Sequence, residues 1–165
     1  MRRLAFGIVP CTLAILFMSP TPTLAQEGSA TPQWLDYMVG EWTDTGSGGT
    51  GTSKCKWVGD SFVQCENVDT DTSGNAHPSL VMMGYNAEEE VYSLSIFGGD
   101  GHTFTGTGTL QDDTLTWLGA SPGGSGKVRI INVIESQTAM TWKMEGSVEG
   151  FEWLEWAEGR TTRVK

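Results

Sequence analysis

Repeated alternation of apolar and polar residues is the feature that most constrains what this chain can fold into. In residues 102–110 (HTFTGTGTL) four threonines share one face, and Met140, Trp142 and Met144 share one face of a later segment. A period of two residues places successive side chains on opposite faces of a β-strand. Because no long stretch carries a sustained helical period, the sequence predicts an all-β protein.

The alternating segments number about ten, and clusters of turn residues separate them. Residues 98–101 and 121–124, for example, are rich in Gly, Asp, Ser and Pro, which favour turns. The short spacing makes each connection a hairpin, so the strands form an antiparallel meander. The predicted strands lie near 40–47, 52–58, 62–69, 79–86, 90–97, 102–110, 113–119, 126–135, 138–146 and 150–160.

An open meander of ten strands leaves two edges unpaired, and closing it into a barrel removes both of them. A barrel of this size holds packed side chains or one small ligand. Gly106 and Gly108 lie inside a strand, where glycine fits the sharp bends that closure requires. We therefore expect a closed barrel, with a two-sheet sandwich as the alternative. One short helical turn over residues 32–38, begun by Pro32, is expected before the first strand.

The first 25 residues have the pattern of a secretory signal peptide. Two arginines follow Met1, a mostly apolar run covers residues 4–18, and Thr23 and Ala25 are the small residues before a cleavage site. An uncleaved membrane anchor is the alternative, but the run is short for a span and Pro10 interrupts it. The expected organisation is a signal peptide at 1–25, a flexible lead at 26–33 and one barrel domain at 34–165.

Cleavage after residue 25 would leave 140 residues with a net charge of −12. This acidic balance disfavours nucleic acid as a partner, because no basic stripe can neutralise phosphates. No second apolar stretch is long enough to span a bilayer. We expect an exported, periplasmic or extracellular protein with no integral membrane segment in its mature chain. The sequence carries no signature of a particular oligomeric state.

Cys55 and Cys65 remain in the mature chain and flank a turn at residues 59–60. Pairing Val58 with Phe62 across a three-residue loop places the two cysteines directly opposite each other, close enough for a disulfide. Disulfides form in oxidising compartments such as the one expected here. A thiol nucleophile and a metal site are weaker alternatives, the latter because no third ligand is near in sequence.

Several short motifs carry a family resemblance that covers roughly residues 34–158. A helical turn running into Gly40-Glu41-Trp42 resembles the opening of lipocalins and their calycin-like relatives. Gly84-Tyr85-Asn86 followed by Val91-Tyr92 resembles a Gly-Tyr-Asp hairpin of the DUF1579 family, with Asn86 in place of the usual aspartate. Residues 97–106 resemble the next turn and strand of that family. The chain thus looks like a DUF1579, lipocalin-like secreted protein.

This resemblance implies a lipocalin-like barrel and no established activity. In lipocalins an arginine of the last strand covers the tryptophan of the first strand. The resemblance therefore implies that Arg160 or Arg163 lies over Trp42 in a cation–π contact.

Aromatic and sulfur-containing side chains on the inward faces of the strands are the candidate ligand site. Such residues line ligand cavities, and methionine adapts to irregular shapes. His102 shares a face with Phe104, so we expect it at the barrel mouth. A completely filled core is the alternative. The candidate ligand-binding residues are Tyr92, His102, Phe104, Trp117, Met140, Trp142 and Met144.

Other candidate chemistry is weaker. Residues 69–75 resemble the start of an EF-hand loop, but Leu80 stands where a bidentate glutamate is needed, so a plain hairpin turn is favoured. Nitrobindins, a related barrel family, bind haem through an inward histidine near the chain end, where this sequence has none. No nucleophile elbow, phosphate loop or zinc-protease motif is present. We expect no catalytic constellation, no cofactor and no metal.

The function expected from these observations is that of an exported, non-enzymatic barrel with a small hydrophobic or amphipathic ligand as candidate occupant. One alternative is a hydrolase or isomerase that uses His102 and a carboxylate at the barrel mouth. The other is a structural or protein-interaction module of the cell envelope.

Overall fold

The computed structural model describes residues 33–121, 124, 126–148 and 151–164. The predicted signal peptide and nearly all of the predicted flexible lead lie outside these residues. A short helix, α1 (Gln33–Met38), precedes ten strands. No helix within the described residues is long and apolar enough to cross a membrane. The strands are β1 (Gly40–Gly46), β2 (Gly49–Val58), β3 (Phe62–Asp71), β4 (Ala76–Asn86), β5 (Val91–Gly98), β6 (Thr103–Gln111), β7 (Thr114–Ala120), β8 (Gly126–Ser136), β9 (Ala139–Val148) and β10 (Leu154–Arg163).

Each strand pairs antiparallel with its neighbours in sequence, and β1 pairs with β10 to close the barrel. The predicted closed barrel is confirmed, and the sandwich alternative is wrong because each of the ten described strands pairs on both sides. The last strand begins later and ends later than the predicted 150–160. Its polar final residues (RTTR) carry little alternation, yet Thr162 and Arg163 pair with Thr43 and Trp42 of β1.

The hairpin topology gives the barrel two distinct ends. The β2–β3, β4–β5, β6–β7 and β8–β9 turns lie at the end that also carries α1, here named the closed end. The other five hairpins, from β1–β2 to β9–β10, surround the opposite end, here named the mouth. Trp34 and Leu35 of α1 are fully buried, so the helix covers the closed end.

Arg163 holds α1 at the closed end through a cation–π contact and hydrogen bonds. Its guanidinium lies 4.1 Å from the centre of the Trp42 ring and donates hydrogen bonds of 2.5 Å to the carbonyls of Val39 and Tyr37. The Trp42 indole Nε1 donates in turn to the Met38 carbonyl, 2.8 Å away. Gly40 has a φ of +134°, and a Cβ there would collide with the guanidinium. The resemblance correctly implied this contact, and Arg163 is the arginine that makes it.

Large side chains fill the half of the barrel next to the closed end. The Tyr92 ring lies 4.8 Å from Tyr85 and 6.3 Å from Trp117, centre to centre. The register pairs Cys55 with Cys65, and a disulfide joins them. Both cysteines are buried in the same core cluster. The register expected from the short β2–β3 turn is therefore the one observed.

Replacing Arg163 should uncouple α1 from the barrel. Arg163→Ala removes two charge-assisted hydrogen bonds and a cation–π contact, so we expect a loss of roughly 3 kcal/mol in unfolding free energy. Arg160→Ala is the matched control, because its exposed ion pair with Glu135 is expected to contribute less than about 1 kcal/mol. Denaturant unfolding followed by circular dichroism measures both. Equal losses in the two variants would contradict this account.

Reducing the Cys55–Cys65 bond should also destabilise the barrel. The bond joins residues 10 positions apart, and closing so short a loop is worth about 2–3 kcal/mol in the chain-entropy picture. Urea unfolding with and without a reductant measures the change. An unchanged midpoint, with loss of the bond verified by thiol titration, would refute the expectation.

Candidate ligand-binding site

A cavity of about 390 Å³ occupies the interior near the mouth. Its walls come mainly from β1–β3 on one side and β8–β10 on the other, and Met38 of α1 and His77 of β4 also line it. The cavity exists because the inward positions of β1 and β2 near the mouth are small: Gly46, Gly49, Gly51 and Ser53. Side chains of this size add almost no volume to the core. The volume is in the range of small-molecule sites in proteins.

One wall of the cavity is apolar. The Trp142 indole lies against the backbones of Gly46 and Gly159, where a Cβ would collide with the ring. The two glycines thus let a large flat ring lie along the barrel wall instead of across its interior. The other apolar lining residues are Met38, Trp42, Ile130, Met140 and Met144.

Asp44 is held against this wall by two hydrogen bonds. Its Oδ2 accepts from Trp142 Nε1 and from Thr161 Oγ1, each at 2.6 Å. Thr161 is buried and Asp44 is half-buried. Because hydrogen bonds to an ionised acceptor are strong, they fix the carboxylate in position. A charged group is therefore positioned beside an aromatic ring inside the barrel.

A second carboxylate, Asp69, faces the first across β2. Gly51 is paired with Asp44 on one side and with Asp69 on the other. A Cβ on Gly51 would collide with Asp69 Oδ1 and lie 3.4 Å from the Asp44 Cβ. Although the Asp69 residue is exposed at the mouth, partial desolvation raises the pKa of its carboxyl group. The charge of Asp44 raises that pKa further, and His77 opposes the effect.

The β3–β4 turn at the cavity rim is organised by Asp71. Its carboxylate accepts from the Asn75 side chain at 3.0 Å and interacts with His77 Nε2 at 3.1 Å. It also accepts from the backbone N–H groups of Ser73 and Asn75. These hydrogen bonds lower the pKa of Asp71 well below its usual range. Of the oxygens that resembled a calcium loop, those of Asp71 are thus used within the turn, whereas Asp69 lies beside Gly51. Among the described residues, no group of three or more His, Cys, Asp or Glu side chains could hold a metal ion.

Asn67 adds a buried acceptor to the lining. Its Oδ1 is buried and has no hydrogen-bond partner within the described part of the chain. A buried polar atom without a partner is unfavourable in a folded protein. A ligand that donates a hydrogen bond at this position would remove the penalty.

The structure brings together three of the seven residues predicted to bind a ligand, since Met140, Trp142 and Met144 line the cavity. Tyr92 and Trp117 are buried in the core cluster, and Phe104 packs against it. His102 does not line the cavity. Its side chain is 76% exposed, and its Nδ1 lies 3.0 Å from Asp100 in the β5–β6 turn.

Sequence reasoning missed the polar residues of the lining, among them Asp44, Asn67, Asp69 and His77. A signal for three of them was available, because Asp44 shares the strand face of Trp42, and Asn67 and Asp69 share the face of Cys65. A strict period of two places these polar residues inside the barrel. His77, with its side chain 62% exposed, is the histidine at the cavity rim.

Comparison with known proteins supports the fold. No protein-family model matches the sequence, and no curated protein matches it either. Eight chains of solved structures do match. One is the crystal structure of Rv2717c from M. tuberculosis, with a TM-score of 0.63 and 13% sequence identity. The match covers 83% of this chain and 99% of that one. At this identity the likeness shows a shared barrel fold.

Asp69→Asn should stabilise the protein at neutral pH. A carboxyl group whose pKa is raised by folding is unfavourable when charged, so its cost is present at high pH and disappears on protonation. We expect a higher thermal midpoint than wild type at pH 7, with the difference shrinking as the pH falls through the pKa of Asp69. Asp71→Asn is the opposite control, because folding lowers the pKa of Asp71 and the variant should be less stable at pH 7. A destabilised Asp69→Asn protein at pH 7 would contradict the electrostatic description of the site.

Proposed function

We propose that this protein is an exported, non-enzymatic barrel of the DUF1579, lipocalin-like type that binds a small hydrophobic or amphipathic ligand. The observation that carries the proposal is the cavity of about 390 Å³ at the mouth, with its wall of methionine, tryptophan and isoleucine side chains. Apolar ligand surface buried in such a cavity is removed from water, which favours binding. Methionine side chains can adjust to ligands of different shape.

Two further observations support binding rather than catalysis. His102, the side chain around which an enzyme site was considered, lies in the exposed β5–β6 turn beside Asp100. Asp44 is fixed by Trp142 and Thr161, an arrangement suited to a stationary binding group. Export is part of the proposal, and the disulfide between Cys55 and Cys65 is compatible with an oxidising compartment.

Titration with linear alcohols tests the proposal. Binding of 1-hexanol, 1-octanol and 1-decanol is measured by isothermal titration calorimetry. Each added CH₂ group should tighten binding by up to about fourfold, because a buried CH₂ is worth about 0.8 kcal/mol. The gain should stop when the chain fills the cavity. Absence of binding by all three alcohols would refute the proposal.

A cavity-filling variant gives the matched control. Met144→Trp adds a ring inside the cavity and should abolish or strongly weaken alcohol binding. Met82→Trp makes the same change on an outward-facing position of β4 and should leave binding unchanged. If Met144→Trp does not fold, Ile130→Phe adds less volume to the same cavity. If a folded cavity variant bound the alcohols as tightly as Met82→Trp does, the alcohols would not bind in this cavity and the proposal would be wrong.

A further inference from the structure

We propose that the ligand carries a positively charged nitrogen, and that Asp44 and Asp69 bind this ammonium group while the apolar wall holds the hydrocarbon part. The inference rests on the proposed function, because it assigns the chemical class of the ligand to the same cavity. The predicted ligand is thus an organic ammonium compound with an apolar tail.

The charges of the lining favour a cation. Three carboxylates, Asp44, Asp69 and Asp71, line the cavity, whereas its lining within the described part of the chain includes no lysine or arginine. The one basic side chain at the rim, His77, is hydrogen-bonded to Asp71. An anionic head group, such as the carboxylate of a fatty acid, would meet like charges on entering. A cation would instead be attracted to the mouth and retained there.

The hydrogen-bonding groups of the lining favour a donor. The Trp142 N–H and the Thr161 hydroxyl are both directed to Asp44 Oδ2. One buried acceptor remains open, because Asn67 Oδ1 has no partner in the described part of the chain. An ammonium group has donors and no acceptor, so it complements this set of groups.

Asp44 and Asp69 are placed to act on one charge. They flank Gly51 from opposite sides, and no side chain separates them at that position. Their mutual repulsion is relieved when a cation lies near both carboxylates, which adds to the attraction of each one. Trp142 donates its in-plane N–H to Asp44, so the edge of the indole meets the carboxylate and fixes it beside the apolar wall.

A bare divalent cation fits the same cavity less well. It needs several oxygen ligands converging on one point, and no group of three candidate ligands occurs among the described residues. One oxygen of Asp44 already accepts two hydrogen bonds. The large apolar wall would also remain unused. An ammonium with a hydrocarbon tail uses both halves of the lining.

Three probes of equal chain length and different head-group charge test the inference: octylammonium, 1-octanol and octanoate. Each is titrated into the full mature protein at pH 7 by calorimetry. We expect octylammonium to bind at least tenfold more tightly than 1-octanol, and octanoate to bind more weakly than 1-octanol. Added salt should weaken the binding of octylammonium and leave that of 1-octanol nearly unchanged.

Variants that each remove one negative charge test which carboxylates cause the preference for octylammonium. Asp69→Asn and Asp44→Asn should each weaken octylammonium binding about tenfold, and in each variant the ratio of octylammonium affinity to 1-octanol affinity should fall. Asp60→Asn is the matched control, because it removes the same charge in the β2–β3 turn at the closed end. If Asp44→Asn fails to fold without its hydrogen-bonded carboxylate, Asp69→Asn gives the decisive comparison.

The outcomes separate this inference from the proposed function. If 1-octanol or octanoate binds as tightly as octylammonium, the inference is wrong while the hydrophobic cavity stands. If Asp60→Asn weakens octylammonium binding as much as Asp69→Asn does, the attraction belongs to the overall negative charge and the inference is again wrong. If none of the three probes binds, the proposed function fails and the inference fails with it.

Discussion

The pairing of β1 with β10 is the constraint on which the rest of the structure depends. It gives every strand two neighbours and places Arg163 of the last strand beside Trp42 of the first. The same arginine donates hydrogen bonds to the carbonyl of Tyr37 in α1 and to that of Val39 just after it, so the contact that closes the barrel also holds the helix over one end. Because α1 covers the closed end, we expect a ligand to enter through the mouth.

The interior near the mouth is hollow because the side chains there are small. Tyrosine, tryptophan and leucine side chains fill the half near α1, whereas glycine and serine occupy inward positions of β1 and β2 near the mouth. The Trp142 ring could have filled the space, but Gly46 and Gly159 allow it to lie along the wall. Three of the polar residues that share this space, Asp44, Asp69 and Asp71, are acidic, and that combination gives the cavity its chemical character.

The fold was predictable from the sequence because one periodicity dominates it. Alternation and turn residues defined ten strands, and the short β2–β3 turn fixed the pairing of Cys55 with Cys65. The hollow half was not predictable, because alternation shows which face a residue occupies and does not show how much space remains. Alternation also failed to predict the position of His102. This residue directly precedes β6, but it lies in the β5–β6 turn, where its side chain is exposed beside Asp100. Alternation also places Asp44 and Asp69 inside the barrel. They were not predicted as lining residues because only aromatic, histidine and sulfur-containing side chains were considered.

The central claim is that the mouth half of the barrel is an accessible cavity with an apolar wall. The most direct test is NMR of protein labelled with ¹³C at the methionine methyl groups, titrated with 1-octanol. Met38, Met140 and Met144 line the cavity, whereas Met82 faces outward and Met83 is buried in the packed half. The account predicts saturable shifts of the Met140 and Met144 methyl signals, with those of Met82 and Met83 unchanged. Shifts confined to Met82, or no shift of any methionine signal, would contradict it.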